Sequence, residues 1–395
     1  MNIINKEQLE VTKYNLLVVG SGFAGATAAN MAAAMGKKVL LLEERGHVGG
    51  NMHEQRLSKE GCRVHLYGPH IFHTDSDRVF EYLSRFTQWR PYQHKVVGLI
   101  DEKLVPIPFN YTSLEMLFRE KDAHAIRVAL DEKFEGKKTV SIFDLINCEE
   151  EIIRDFGKYV YEKVFVNYTA KQWMVPIEEV DKSVVNRVPV RLGYEEGYFP
   201  SKYQFMPLSG YNEIFENMLS SPNIDVVLNC DASQHIELTG EGVKLFGVPF
   251  EKRIVYTGSI DRLMNYAFGP LPYRTVDMVF KEIYKQYYQS NAVVNYPNDE
   301  KYTRITEFKY LTGEENKYTS ILFEYPTQYE PFLTTPYYPV NNAHNNALYE
   351  KYVNALKAYP RIYLCGRLGD YKYYDMDKAV EAALNLCERI YNLAD

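Results

Sequence analysis

The chain has 395 residues, of which 46% are hydrophobic and 25% are charged. These proportions are typical of soluble globular proteins, and the length favours two or three domains because a single core seldom grows this large. The formal net charge of −7 excludes a general attraction to nucleic acid or anionic lipid, so an anionic ligand needs a local cluster of basic residues.

No apolar run is long enough to span a membrane, and the first 14 residues contain no signal-peptide core. The sequence therefore predicts a cytoplasmic protein without membrane insertion. Five widely spaced cysteines without a CxxC pair predict reduced thiols rather than a disulfide framework or a zinc site. The unusual count is 34 tyrosines, which indicates that phenol rings build part of a binding surface.

The first predicted unit consists of a strand, a glycine turn, a helix and a second strand. Leu16–Val19 and Val39–Leu42 are all-apolar runs, typical of strands buried on both faces. Between them lie the turn GSGFAG (20–25) and an alanine-rich helix that extends to Met35. This βαβ unit predicts an α/β fold with a parallel sheet.

The turn has the spacing of a dinucleotide-binding motif. Gly20 permits the bend, Gly22 lets the backbone approach a pyrophosphate, and Gly25 lets the helix pack against the sheet. Glu43 ends the second strand, where a carboxylate accepts hydrogen bonds from ribose hydroxyls. A purely structural glycine turn is the alternative. The cofactor contacts predicted in this unit are Gly20, Gly22, Phe23, Ala24, Gly25 and Glu43.

A second glycine pair after Glu43 favours FAD over NAD. The run Gly49-Gly50-Asn51 resembles the large family of FAD-dependent oxidases and reductases. A C-terminal strand that runs into Gly366 and a predicted helix over 375–393 fit the same family, whose last helix directs its positive end at the flavin. The further predicted FAD contacts are Gly49, Gly50, Asn51, Gly366, Arg367, Asp375 and Met376.

The middle of the chain has other periodicities. Apolar residues recur at helical spacing in 113–133 and 141–164, which predicts a small helical domain. Residues 266–325 contain alternating runs, such as 302–308, which predict an antiparallel sheet.

Three histidines lie close together in the sequence, at His65, His70 and His73. A zinc site is one interpretation, but neither an HExxH motif nor a cysteine partner accompanies them. Beside a flavin, imidazoles form hydrogen bonds or handle protons. Ordinary packed histidines are the remaining alternative.

Aromatic and basic residues indicate a nucleotide site. Tyr168 and Trp173 are suited to stacking on a base, with core packing as the alternative. Arg187 and Arg191 lie in a proline-interrupted segment and Arg304 on a predicted strand. Two arginines from distant segments can clamp a diphosphate, whereas a single arginine is more often solvated. Tyrosine clusters over 337–341 and 371–375 can line a sugar pocket or simply pack.

Seven motifs along nearly the whole chain resemble the bacterial UDP-galactopyranose mutases. They are GPHIFHT (68–74), PIPFN (106–110), YTAKQW (168–173), RVPVR (187–191), TRITE (303–307), YYPVN (337–341) and GRLGDYKYYDMD (366–377). The resemblance implies a Rossmann-like FAD-binding domain assembled from residues 1–80, 208–262 and 355–395. It further implies a helical domain over 111–186 with a mobile lid extending to about 195, and an antiparallel β-sheet domain formed by 81–110, 196–207 and 263–354.

The resemblance also implies residue roles, with no metal. The resemblance assigns catalytic roles to Arg187, Arg304, His70 and His73. The two arginines are expected to bind the diphosphate. The implied substrate contacts are Tyr168, Thr169, Trp173, Arg187, Tyr198, Phe199, Arg304, Tyr338, Tyr373 and Asp375. Met174 follows Trp173 at a position where the family usually has glycine. This difference is expected to alter the geometry of the lid and to leave the proposed contacts in place.

The implied activity is isomerisation of UDP-galactopyranose and UDP-galactofuranose for polysaccharide biosynthesis. N5 of reduced FAD attacks the anomeric carbon, with no net redox change. The implied partners are UDP-galactose, an external reductant such as NAD(P)H, and a second copy in a homodimer. Two other functions remain open: a flavin oxidase or desaturase, which would oxidise its substrate stoichiometrically, and a UDP-sugar-binding protein without turnover.

Overall fold

The structure is a computed structural model that describes residues 1–173, 188–331 and 333–391. Its centre is a six-stranded sheet in which every neighbouring pair is parallel. In spatial order, its strands are Asn2–Ile3, Ile224–Val227, Val39–Leu42, Leu16–Val19, Arg253–Tyr256 and Ile362–Leu364. The two strands of the predicted βαβ unit are buried along their whole length, which confirms the prediction.

All six strands fall in the three segments expected to form the FAD-binding domain, and we propose that division of the chain. The helices Phe23–Ala34 and Met376–Tyr391 pack together in a core that also contains residues of the sheet, such as Val18 and Leu41. The opposite face, with Leu17 and Leu40, packs in a second core that includes Tyr352 and Leu356, so both faces of the sheet are covered, as its apolar strands require.

A seven-stranded sheet forms the second layer. Its strands, in spatial order, are Tyr338–Pro339, Tyr273–Ile283, Thr319–Gln328, Arg304–Glu307, Val293–Asn295, Val96–Ile100 and Lys103–Ile107. Its pairs are antiparallel except for the parallel pair of Val293–Asn295 with Val96–Ile100. Predicted strand 302–308 is thus present as Arg304–Glu307.

Residues 196–207, which the proposed division assigns to the sheet domain, contain the strand Tyr203–Pro207, and this strand lies outside the seven-stranded sheet. It pairs with Phe72–Thr74 and Trp89–Pro91 in a separate three-stranded sheet. The ring of Tyr203 also stacks on Phe80 of the helix Asp77–Ser84, with the ring centroids 4.0 Å apart. The remaining small sheets contain Glu54–Arg56 with Arg63–His65, Thr139–Val140 with Val190–Arg191, and Ile236–Thr239 with Gly242–Leu245 and Val248–Pro249.

The predicted helical region is present with its own buried core. The described helices are Phe23–Ala34, Asp77–Ser84, Tyr111–Leu117, Glu120–Lys133, Ile142–Ile146, Glu151–Val160, the π-helix Tyr161–Val166, Asn167–Trp173, Tyr211–Met218, Ile260–Leu263, Phe308–Thr312, Ala343–Leu356, Gly366–Gly369 and Met376–Tyr391. Short 3-10 turns lie at Lys6–Gln8, Val11–Lys13, Gly50–Met52 and Ala232–Gln234. None of the described helices is long and apolar enough to cross a membrane.

Candidate functional site

The glycine turn forms a cradle in front of the first helix. Gly20 has a φ of +91°, and a Cβ on Gly25 would overlap the carbonyl oxygen of Gly20. Gly22 is the N-cap of the helix and supplies no side-chain cap, so the backbone N–H groups of the first turn face outward with a partial positive charge. The second glycine pair closes the cradle, because Gly49 N donates to Ser21 O at 3.2 Å and Gly50 lies against Gly22.

Glu43 is held where the ribose of a dinucleotide is expected. Its side chain is buried, Oε2 accepts hydrogen bonds from Ser21 N at 2.9 Å and Ser21 Oγ at 2.5 Å, and Oε1 accepts one from Arg45 N at 3.0 Å. These bonds use only part of the capacity of a carboxylate, which offers about four acceptor sites.

Arg45 is a residue that sequence reasoning missed. Its guanidinium lies 4.1 Å from the ring centroid of Tyr67 and donates through Nη2 to Asn51 Oδ1 at 3.0 Å. Nη1 is buried and has no hydrogen-bond partner among the described residues. A buried cationic donor without a partner beside a glycine cradle fits the anionic diphosphate of FAD. Its position between Glu43 and the glycine pair Gly49-Gly50 was the available signal.

A cavity of about 1050 Å³ lies where the seven-stranded sheet, the helical region and the C-terminal segment meet. It brings together predicted residues from six separate parts of the sequence. Those lining it are His70, His73, Tyr168, Tyr198, Phe199, Arg304, Tyr338, Arg367, Tyr373, Asp375 and Met376. Arg187 and Met174 lie outside the described residues, as do the side chains of Thr169 and Trp173.

Arg304 is fixed by a carboxylate on the neighbouring strand. Arg304 and Glu324 are direct partners in the sheet register, and Nε lies 2.9 Å from Oε2 of Glu324. Burial disfavours the charge of Arg304, but Glu324 and the nearby phenols of Tyr168, Tyr338 and Tyr198 together outweigh it and raise the pKa of the guanidinium. Arg304 therefore presents a permanent positive charge to the cavity.

A second arginine, Arg274, also lines the cavity and was missed from the sequence. It donates a hydrogen bond to the backbone carbonyl of Gln172, near the end of the helix that carries Tyr168. Burial lowers the pKa of Arg274 to about 10, so it stays charged at neutral pH. Arg191 was a diphosphate candidate, but it donates to the carbonyls of Glu195 and Tyr198 and thereby shapes the loop that carries Tyr198.

At the other end of the cavity, Arg367 is stacked with tyrosines. The rings of Tyr338 and Tyr373 are parallel within 11° and 4.8 Å apart, and the Arg367 guanidinium lies 4.6 Å from the Tyr338 ring. Arg367 also donates to the carbonyls of Tyr337 and Tyr374. These contacts hold a flat aromatic wall beside Asp375 and Met376, which begin the last helix.

Two of the predicted histidines face the cavity and the third supports them. Burial, with His65, Arg367 and Arg304 nearby, lowers the pKa of His70 well below its usual value, so His70 is neutral at pH 7. His73 stacks on Phe199 at 3.7 Å, and burial lowers its pKa. His65 is fully buried, and its Nδ1 accepts a hydrogen bond from the His70 backbone N–H at 2.9 Å. No group of three or more histidine, cysteine or acidic side chains in the described residues could hold a metal ion.

The part of the cavity wall formed by the last two strands of the seven-stranded sheet is apolar, with Val96, Ile100 and Ile107. Val164 and Phe165 of the helical region also line the cavity. On the neighbouring strand, Asn295 has an Oδ1 atom that is shielded from water and has no hydrogen-bond partner in the part of the chain described. Asn295 was also missed, because nothing local distinguishes it from an ordinary strand residue. A fourth missed residue, His94, is buried against Tyr198 and Phe199.

Comparisons with known proteins agree with this geometry. A family model described as UDP-galactopyranose mutase matches residues 163–373, and one described as NAD(P)-binding Rossmann-like domain matches residues 18–86. A UDP-galactopyranose mutase of Mycoplasma pneumoniae is 34% identical over 385 residues, which cover 96% of both chains. A dTDP-fucopyranose mutase of Escherichia coli is 32% identical over 380 residues, covering 95% of this chain and 98% of the relative.

A solved structure gives the same fold. The crystal structure of a reduced UDP-galactopyranose mutase aligns with a TM-score of 0.69 at 16% identity, covering 96% of this chain and 94% of that chain. At this low identity the structural match shows only the fold, and it confirms the predicted Rossmann-like α/β class. The family assignment rests on the family model and on the full-length relatives. By that evidence, the chain belongs to the UDP-galactopyranose mutase family of enzymes and has a flavoprotein fold.

Proposed function

We propose that the protein is an FAD-dependent isomerase that interconverts UDP-galactopyranose and UDP-galactofuranose. The observation that carries the proposal is the order of groups along one cavity. Across the seven-stranded sheet, the lining side chains follow one another in strand order from Tyr338, beside Arg367, through Arg274 and Arg304 to Asn295 and the apolar Val96 and Ile107. A sugar, a diphosphate and a nucleobase follow each other in the same order in a nucleotide sugar.

FAD fits the residues of the glycine cradle. The turn from Gly20 to Gly25 and the buried Nη1 of Arg45 would hold the pyrophosphate, and Glu43 would accept the ribose hydroxyls. The residues that would hold the flavin end are Gly49, Gly50, Asn51, Gly366, Arg367, Asp375 and Met376. Held by these residues in its reduced form, FAD would supply the nucleophile for the anomeric carbon, in a reaction without net oxidation.

The arginines of the chain stabilise the leaving diphosphate. Negative charge grows on UDP as its bond to the sugar breaks, and donors fixed in advance at that position lower the barrier. Glu324 fixes Arg304, and the Gln172 carbonyl holds Arg274. Arg187, on a different segment, is proposed as the further donor.

Tyr168 and Asn295 are suited to recognise the base. Burial raises the pKa of the Tyr168 phenol, which stays neutral and available for stacking. The unpartnered Oδ1 of Asn295 would accept the N3–H of uracil, while its amide N–H₂ would donate to a uracil carbonyl. Cytosine lacks a hydrogen on N3 and would leave that acceptor unpaired.

The test is anaerobic incubation of purified protein with UDP-galactofuranose, followed by chromatography, with dithionite and with the flavin left oxidised. Conversion to UDP-galactopyranose only in the reduced sample supports the proposal. Stoichiometric substrate oxidation would instead support an oxidase, and UDP binding without turnover would support a binding protein. Because one relative is a dTDP-fucopyranose mutase, dTDP-fucopyranose is assayed in parallel, and faster conversion of that sugar would overturn the assignment of UDP-galactose.

We also propose that an external reductant such as NAD(P)H keeps the flavin reduced and that the protein is a homodimer. Bleaching of the flavin absorbance by NADH or by NADPH under nitrogen tests the first statement. Light scattering coupled to size-exclusion chromatography tests the second, with a mass near the monomer value of 46.0 kDa contradicting it.

A further inference from the structure

A small chamber lies behind Arg304, next to the main cavity. Its volume is about 70 Å³, and its lining includes His70, Thr275, Val276, Glu324 and Tyr337. This space exceeds the roughly 10–15 Å³ that one water molecule needs. The two spaces share lining residues, among them His70, Arg304, Arg274 and Tyr338, so the chamber borders the main cavity.

Glu324 has one oxygen that the arginine does not use. The residue is 3% exposed, and Oε2 faces Arg304 at 2.9 Å. Oε1 is buried and has no hydrogen-bond partner among the described residues, and the same holds for Nδ1 of His70. A buried carboxylate oxygen and a buried ring nitrogen without partners, on the wall of one polar chamber, are the groups that ordered water satisfies.

The isomerisation also needs a group that moves a proton. In galactopyranose O5 is in the ring and O4 carries a hydrogen, whereas in galactofuranose O4 is in the ring and O5 carries the hydrogen. In the pyranose-to-furanose direction, the O4–H bond must therefore break and an O5–H bond must form, with no oxidation. The arginines and tyrosines around the site are poor bases at neutral pH, whereas His70, His73 and Asp375 on the cavity wall can accept and return a proton. Of these three, only His70 also lines the chamber.

We propose that water in this chamber joins Glu324 to His70, and that His70 carries the O4 proton to O5 with Glu324 stabilising the imidazolium formed in between. Glu324 is then a positioning residue that acts through His70. The inference rests on the proposed function, because it assigns a role within that reaction. The charged and titratable groups around Glu324 and His70 are Arg304, Arg274, Arg367, His65, Tyr168, Tyr337 and Tyr338.

The first test fills the chamber without altering a titratable group. Val276→Leu adds a methylene to its wall and should displace the water, whereas the matched control Val276→Ala leaves room for it. We expect Val276→Leu to lower kcat by about tenfold, at the lower end of what proton-transfer groups contribute, with unchanged UDP affinity and flavin spectrum. Val276→Ala should retain kcat. Equal kcat in the Leu variant and the wild type would overturn the proposal.

The second test separates proton transfer from the positioning of Arg304. Glu324→Gln should shift the pH profile of kcat and change its solvent deuterium isotope effect. A variant that only weakens UDP binding, with the wild-type pH profile and isotope effect, would show that Glu324 serves Arg304 alone. A crystal structure supplies a readout without turnover: it should show water within hydrogen-bond distance of Glu324 Oε1 and His70, and a dry chamber would refute the link. If the wild type fails to convert UDP-galactofuranose, the proposed function itself is wrong, a result distinct from all of these.

Discussion

Lys171 Nζ donates a hydrogen bond to the carbonyl oxygen of Tyr296 at 2.6 Å, and to that of Glu300 at 2.7 Å. Lys171 is on the helix that carries Tyr168, and Tyr296 begins the loop that leads to Arg304. The amine therefore ties the residue proposed to hold the base to the residue proposed to hold the diphosphate. Burial lowers the pKa of Lys171, and the carbonyl oxygens compensate its charge.

Lys171→Met should weaken substrate binding without affecting the flavin. Hydrogen bonds to a charged group contribute about 1.5–3 kcal/mol, and their loss lets the helix shift against the sheet. We expect the Kd for UDP, measured by calorimetry, to rise about tenfold, equivalent to roughly 1.4 kcal/mol. Asn167→Ala, which removes an exposed bond between the same helix and loop, is the control and should change Kd little. Equal Kd values in the Met variant and the wild type would contradict the coupling.

Arg304→Ala should lower turnover by at least about 10²-fold, as the loss of a fixed electrostatic donor does. Arg187→Ala is expected to do the same. Arg304→Lys should have a turnover only slightly above that of Arg304→Ala, because an ammonium does not reproduce the planar guanidinium. Steady-state kinetics with reduced enzyme measures the effect, and Arg119→Ala, at a highly exposed arginine, is the control. Near-normal turnover of purified Arg304→Ala would remove the arginine from the mechanism.

Gly25→Ala should abolish FAD binding. The new Cβ would overlap the Gly20 carbonyl oxygen, so the cradle must open or the helix must move from the sheet. The ratio of flavin absorbance to protein absorbance after gel filtration measures this loss. Gly240→Ala has nothing within 4 Å of the new Cβ and should keep the wild-type ratio. A Gly25→Ala protein with full flavin content would disprove the close packing described.

Asn295→Leu should affect binding and stability in opposite directions. Removing a buried acceptor that has no partner does not destabilise the fold and can stabilise it slightly. Losing the proposed bonds to uracil should raise the Kd for UDP by about tenfold. Thermal unfolding and UDP titration of the same sample measure both. An unchanged Kd would show that the base does not reach Asn295.

His94→Gln should flatten the acid dependence of stability. Burial, with Arg304 and His73 nearby, lowers the pKa of His94 to about 3, whereas an unfolded histidine titrates near pH 6.5. Between these values the unfolded chain binds one more proton at this site, so stability falls as pH falls, with a slope of about 1.4 kcal/mol per pH unit. Denaturant unfolding between pH 6.5 and 4 should show that slope reduced in His94→Gln. The control is His124→Gln, at an exposed histidine, and equal slopes in all three proteins would refute the assignment.

The sequence by itself determined the nucleotide-binding unit and the helical region. Leu16–Val19, the glycine turn and Glu43 are contiguous, and their function depends on local geometry: a buried strand, a bend and a helix N-terminus. The resemblance to the family also predicted eleven lining residues of the cavity, nine of them within the shared motifs, because short motifs retain both the residue and its spacing. Arg191 lines the cavity as well, and its guanidinium donates to the backbone carbonyls of Glu195 and Tyr198.

Only the tertiary structure decided which strands meet at the site. Asn295 and Arg304 face each other because of strand register, and Glu324 is placed beside Arg304 by the next strand. Neither the pairing of distant strands nor the burial of a single polar atom leaves a periodic signal in the sequence. Long-range register is set by the packing of the whole sheet, and that packing turned an ordinary asparagine, a glutamate and Arg274 into parts of one cavity.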